Sequence, residues 1–164
     1  MNCNLAATLQ TVNKSFLVIG YGNDLRSDDA IGPRVATIVE SWQLPNVEAL
    51  ALPQLTPELA DNCQNFDGVI FVDACSLPSL TEVQIQAIEA DESATTATHS
   101  SDPRSLLALT KILYHHSPQA WLISVPAVNF ELGESLSSVA EQGITNALAK
   151  IDDLLRNETQ AHQI

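Results

Sequence analysis

Short apolar runs alternate with amphipathic stretches along the chain, and each pattern predicts an element. Residues 16–19 (Phe-Leu-Val-Ile) form a continuous apolar run, as a strand covered on both faces requires. Gly20 and Gly22 end it in a tight turn. Ile31, Val35, Ile38, Val39 and Trp42 then recur at helical spacing, with Pro33 in the first turn where its missing N–H does no harm. Residues 47–52 read as a second strand, ended by Pro53. Residues 54–59 open a short helix with Thr56 as cap and Pro57 at its first position. Val69, Ile70, Phe71 and Val72 make a wholly apolar strand that leads to Asp73 and belongs at the centre of a sheet.

The second half repeats the alternation. Over residues 81–88, Val83, Ile85 and Ala87 alternate with Glu82, Gln84 and Gln86, which predicts a half-exposed edge strand. Asp102-Pro103 starts a helix whose apolar stripe is Leu106, Leu109 and Leu113. Residues 120–125 are a further strand, closed by Pro126, and residues 127–134 a loop. Residues 136–155 form the last helix, with Val139, Ile144, Leu148, Ile151 and Leu155 facing inward. Residues 1–14 read as a loose lead-in and 157–164 as a frayed tail. Strands alternating with helices predict one α/β domain over residues 1–164. It should be a three-layer α/β/α unit with a mostly parallel twisted sheet of about five strands and 81–88 as a possible antiparallel edge.

Composition narrows the partners. Hydrophobic residues make up 45% of the chain and charged residues 16%, a balance that supports a packed core. The net charge of −13 disfavours nucleic acid and anionic membranes as partners. No segment reaches the ~20 apolar residues that span a bilayer. Cys3, Cys63 and Cys75 form no close pair, which suits a reducing cytoplasm.

The candidate chemistry lies where strands end, because functional loops of α/β sheets lie beyond their carboxyl ends. Asp28 and Asp29 follow the first strand; either could simply cap the next helix. Asp73 could bind amides of its own loop, or face the same cleft as Asp29 if the first and third strands run parallel. His99 lies in a polar loop, either solvated or as a third donor. Two carboxylates and an imidazole would suit a divalent transition metal and leave coordination positions open. His115 and His116 read as charge partners of a helix end. Cys75 reads as a small buried residue, with a thiolate ligand as the alternative. The Gly20-Tyr21-Gly22-Asn23 turn lacks the third glycine of a dinucleotide fingerprint and the Gly-Lys-Ser/Thr of a phosphate loop. A Gly-x-Ser-x-Gly elbow is absent from the chain. A non-catalytic module that holds a small anionic ligand at that turn, and a different hydrolase on the same scaffold, are the competing readings.

The wording of the first loop is more specific than its spacing. Gly20-Tyr21-Gly22-Asn23-Asp24-Leu25-Arg26-Ser27-Asp28-Asp29-Ala30-Ile31-Gly32 resembles the opening motif of the hydrogenase maturation proteases. Val72-Asp73-Ala74, Gln54-Leu55-Thr56-Pro57-Glu58-Leu59 and the Leu132-Gly133 and Leu136-Ser137 pairs also resemble that family. The chain departs from it in carrying Asp29 where some members have Glu, and Ala30 where Gly is commoner.

The resemblance implies a cytoplasmic, monomeric endopeptidase of the aspartyl type. Its substrate would be the immature large subunit of a nickel-iron hydrogenase, trimmed of its C-terminal extension. The cofactor would be nickel, brought by the substrate and read as the sign that loading is complete. By position in the motifs, Asp29, Asp73 and His99 would be the metal ligands, with Asp29 and Asp73 also catalytic. Gly22, Asn23, Gln54 and Leu55 would contact substrate, as would the loops at residues 54–58 and 129–135.

Overall fold

The computed structural model describes residues 13–93 and 101–160. Five strands form one sheet: β1 (Phe16–Tyr21), β2 (Val47–Leu52), β3 (Gly68–Cys75), β4 (Gln84–Ile88) and β5 (Gln119–Pro126). Their order is β2-β1-β3-β5-β4. All neighbours pair in parallel except β4, which runs antiparallel to β5 at the edge. The expected sheet, its central third strand and its antiparallel edge are therefore all present.

Side-chain alternation along the strands assigns the helices to the two faces. Val18, Ile70, Val72, Ile123 and Val125 pack under α1 (Ile31–Ser41) and α4 (Ser138–Gln160). Leu17, Ile19, Val69, Phe71 and Ala120 pack on the other face with α2 (Leu59–Cys63) and α3 (Pro103–Tyr114).

Several expectations need correction. α2 begins at Leu59 rather than at Pro57, and Thr56 gives it no side-chain cap; a turn over 56–58 leads in through the Leu59 N–H to Thr56 carbonyl bond. The 81–88 strand is shorter, because only Gln84–Ile88 pairs with β5. On α3 the stripe is Leu106, Leu107 and Thr110, while Leu113 is exposed. On α4, Val139 is exposed and the small Ala140 and Ala147 are buried in its place, letting the helix lie close to the sheet. That helix also continues to Gln160, past the predicted fraying point at Asn157.

β3 outruns its neighbour. β1 and β3 are in register from Phe16↔Gly68 to Gly20↔Val72. The longer β5 carries β3 on through Asp73↔Ser124, Ala74↔Val125 and Cys75↔Pro126. Asp73 thus lies within the strand, two residues before its end, with β5 pairing on one side only.

Candidate functional site

The site is set by how closely the first loop is drawn onto the sheet. A Cβ at Gly20 would lie 1.8 Å from the carbonyl oxygen of Gly32, so only glycine lets α1 approach β1 this far. A 3-10 turn over Ser27–Ala30 leads directly into α1. It carries Asp29 back over the end of β1, where Asp29 Oδ2 accepts the Asn23 N–H at 2.7 Å. Gly22 has φ +152°, and a Cβ there would sit 2.0 Å from the Asp29 carbonyl oxygen. Asn23 makes the local bond expected of it, its Oδ1 accepting the Leu25 N–H at 2.9 Å.

This geometry removes the anion-binding reading of the turn. The Gly22 N–H donates to the Leu52 carbonyl at 3.0 Å, and the Asn23 N–H is taken by Asp29. A carboxylate of the chain itself fills the place where a ligand anion would sit.

The two adjacent aspartates part company. Neither caps a helix through its side chain. Asp28 is fully buried and staples the first loop to the one after β5. Its Oδ2 accepts the N–H groups of Val128 (2.9 Å) and Asn129 (3.0 Å) and the Ser137 hydroxyl (2.7 Å). Its Oδ1 accepts the Ser137 N–H at 2.8 Å. Burial by itself raises this carboxyl, but the donors from Ser137, Val128 and Asn129 outweigh it and hold the group below its ordinary value. Ser27, in the left-handed region at φ 54°, adds to the staple. Its N–H donates to the Gly133 carbonyl at 2.8 Å and its hydroxyl to the Glu131 carbonyl at 2.7 Å. Sequence reasoning missed this role of Asp28. The one available signal was the serine in Leu136-Ser137, which the family wording picked out without a reason.

The charge of Asp29 reaches Asp73. Asp73 is pushed up to about 6, first by burial, then by the charge of Asp29; hydrogen bonds from the Tyr21 hydroxyl and the Ala74 N–H oppose the rise. The expected bonds to the loop after the strand are not what acts on Asp73, because Ala74 is the next residue of β3 itself. None of the ion pairs among the described residues reaches either aspartate. Carboxylates at one edge of the sheet without an ion-pair partner are oxygen donors of the kind that divalent cations take.

Other residues fall away from the site. Cys75 is half-buried, beyond Asp73 on β3. His115 closes α3 in the left-handed conformation, and the His116 ring nitrogen Nε2 lies 2.9 Å from the Phe66 carbonyl. Both lie at the opposite, amino edge of the sheet. A cavity of about 400 Å³ lined by Lys111, Ile112 and His115 is at that edge too, away from the carboxylates. Leu55, expected at the substrate, is 2% exposed and packs into the core with Leu17 and Phe71; only the neighbouring Gln54 faces out. His99 lies outside the described residues, and among the described residues no three His, Cys, Asp or Glu side chains cluster as a metal site.

The loops at this edge expose apolar side chains among polar ones. Leu25, Leu77, Val128 and Leu132 are exposed, each in a loop that follows the carboxyl end of β1, β3 or β5.

No protein-family model and no curated protein matches the chain by sequence. Solved structures do match. The hydrogenase maturating endopeptidase HybD from E. coli superposes with a TM-score of 0.73 at 24% identity, over 88% of this chain and 93% of that one. The [NiFe] hydrogenase maturation protease HycI from Thermococcus kodakarensis gives 0.68 at 22%, over 87% and 93%. A hydrogenase 2 maturation peptidase from a Thaumarchaeota archaeon gives 0.64 at 25%, over 87% and 98%. The resemblance carried by the first loop is thus met along nearly the whole chain: this protein has the fold of the hydrogenase maturation endopeptidases.

Proposed function

We propose that this protein is an endopeptidase that removes the C-terminal extension of a nickel-iron hydrogenase large subunit once nickel is in place. One observation carries the reading. In a fold shared with the maturation endopeptidases, the loop after β1 and the last residues of β3 put Asp29 and Asp73 toward one edge of the sheet, where the charge of Asp29 reaches Asp73 and none of the ion pairs among the described residues involves either.

Asp29, Asp73 and His99 would hold the nickel, which the substrate brings. The described chain resumes at Ser101, and the charge of Asp102 reaches the Tyr21 hydroxyl beside Asp73. Bound nickel would supply a positive charge that anchors the substrate and polarises a nearby carbonyl. The chain's own residues do the rest. The Asn23 N–H fixes Asp29. As the alternative to ligating the metal, Asp73, raised to about 6 in the metal-free protein, would be ionised at neutral pH yet basic enough to take a proton from an attacking water, as an aspartyl-type general base requires. Gly22, where a Cβ would collide with the Asp29 carbonyl, lets the turn close on Asp29.

The partner is a folded protein, so recognition needs more surface than the cleft. Leu25, Val128 and Leu132 lie on the two loops that Asp28 and Ser27 lock together, which lowers the ordering cost of docking. Gln54 and the loop of residues 129–135 border the same edge. The protein would act as a monomer in the cytoplasm.

The test is to mix the purified protein with nickel-loaded and nickel-free large-subunit precursor and follow the precursor's mass. Shortening of the loaded form alone supports the proposal. No shortening of either form refutes it.

A further inference from the structure

A serine beside the start of a helical turn ordinarily serves as a local cap. Ser27 opens the 3-10 turn before α1, yet no side chain caps that turn. Its hydroxyl donates instead across 104 residues, to the Glu131 carbonyl at 2.7 Å. Aiming it there has a conformational cost. Ser27 is 3% exposed and sits at φ 54°, a region that disfavours an L side chain. The other non-glycine residues described there, Gln43 and His115, follow the ends of α1 and α3, where a left-handed residue is an ordinary stop. Ser27 begins a turn, so helix termination does not account for it.

What Ser27 holds does account for it. Glu131, Leu132 and Gly133 are exposed, so core packing does not fix them. Apart from the Glu131 N–H, which donates to the Asn129 side chain, the backbone bonds of residues 130–133 run to the first loop. Arg26 Nε donates to the Phe130 carbonyl at 3.2 Å, the Ser27 N–H to the Gly133 carbonyl at 2.8 Å, and the Gly133 N–H to the Leu25 carbonyl at 2.9 Å. Arg26 and Gly133 pair there as an isolated parallel bridge. The Ser27 hydroxyl adds a tie at Glu131, next to Leu132. We propose that Ser27 is a positioning residue for precursor docking: from its left-handed conformation it holds residues 130–133 against the first loop, so that Leu25 and Leu132 meet the partner as one prearranged apolar face. A loop left untied would have to be ordered on binding, at a cost that enters KM and not the chemical step. The inference rests on the reading of this protein as the precursor's endopeptidase.

The test uses the full chain and nickel-loaded large-subunit precursor. Cleavage is followed by mass over a range of precursor concentrations, at a temperature where circular dichroism shows every variant folded. Ser27→Ala keeps a side chain in the left-handed region and loses the hydroxyl, so its thermal midpoint should fall by about 2–4 °C. Ser27→Gly loses the same hydroxyl but is relieved of the left-handed cost, so its midpoint should stay within about 2 °C of wild type. Both should raise KM about three- to tenfold and leave kcat unchanged, although their stabilities differ. Adding Ser27→Gly to Leu132→Asp should raise KM no further than Leu132→Asp alone, because Ser27 acts through the placement of that loop. A wild-type KM in Ser27→Gly, a fall in kcat with KM unchanged, or additive effects in the double variant would overturn the inference, while wild-type cleavage still upheld the endopeptidase reading. Wild type that leaves the loaded precursor uncut would overturn that reading, and this inference with it.

Discussion

Asp73→Asn should make the protein more stable at neutral pH while abolishing processing. The folded state holds the Asp73 carboxyl at about 6, against 3.8 for the free group. A raised carboxyl means that the folded state prefers the protonated form. Below pH ~4 the group is protonated in both folded and unfolded chains and carries no penalty. As pH rises from about 4 to about 6, the unfolded chain ionises freely and the folded chain does not, so stability falls; above about 6 the loss is complete. The shift of about 2 units corresponds to roughly 3 kcal/mol, or about 2–3 once residual exposure is allowed for. Asparagine imitates the protonated acid in shape and charge, so the variant should be about 2–3 kcal/mol more stable than wild type at pH 7.5 and equal to it near pH 4. Urea unfolding followed by circular dichroism at several pH values measures both limits. A variant that is equally or less stable at pH 7.5 would refute the burial and Asp29 repulsion on which the site rests.

Other substitutions test the frame around it. Asp28→Asn can keep its oxygen toward Val128, Asn129 and the Ser137 hydroxyl but must turn its amide onto the Ser137 N–H. One unsatisfied buried donor and three weakened bonds should cost about 3–4 kcal/mol in unfolding free energy, and hydrogen exchange at Val128, Asn129 and Ser137 should quicken. Because that carboxyl is held below its ordinary value, wild type should also lose stability as pH falls below about 4, a dependence the Asn variant lacks. Gly20→Ala drives a methyl into the Gly32 carbonyl and should cost about 3 kcal/mol or more, read as a drop in thermal midpoint. Leu132, 86% exposed, can be changed to Asp with stability held within about 0.5 kcal/mol, while KM for the precursor rises about tenfold if its loop docks the partner.

Much of the fold could be read from local pattern. Residues 69–72 are apolar at every position because β3 is flanked by β1 and β5 and covered by helices on both faces, and that condition leaves its mark on the strand itself. The helix spacing of Ile31, Val35 and Val39 likewise reports one neighbour, the sheet. The errors arise where the deciding contact is distant. Asp28 and Asp29 are chemically alike and adjacent, and only partners about a hundred residues away make one a staple and the other free to face Asp73. Leu55 looks like an exposed loop residue by its polar neighbours, yet its side chain turns into the core. Leu113 keeps helical spacing with Leu106 but lies on the last turn of α3 and is exposed. That Asp29 and Asp73 belong to one edge was legible through topology, because β1 and β3 run parallel.

The central claim is that Asp29, Asp73 and His99 share one ion. The direct measurement is anomalous diffraction at the nickel absorption edge from crystals of the full chain soaked in Ni(II). The account predicts one strong peak within ligand distance, about 2.0–2.3 Å, of a carboxylate oxygen of Asp29, one of Asp73 and a ring nitrogen of His99. A peak elsewhere, or one that leaves either aspartate out, would contradict it.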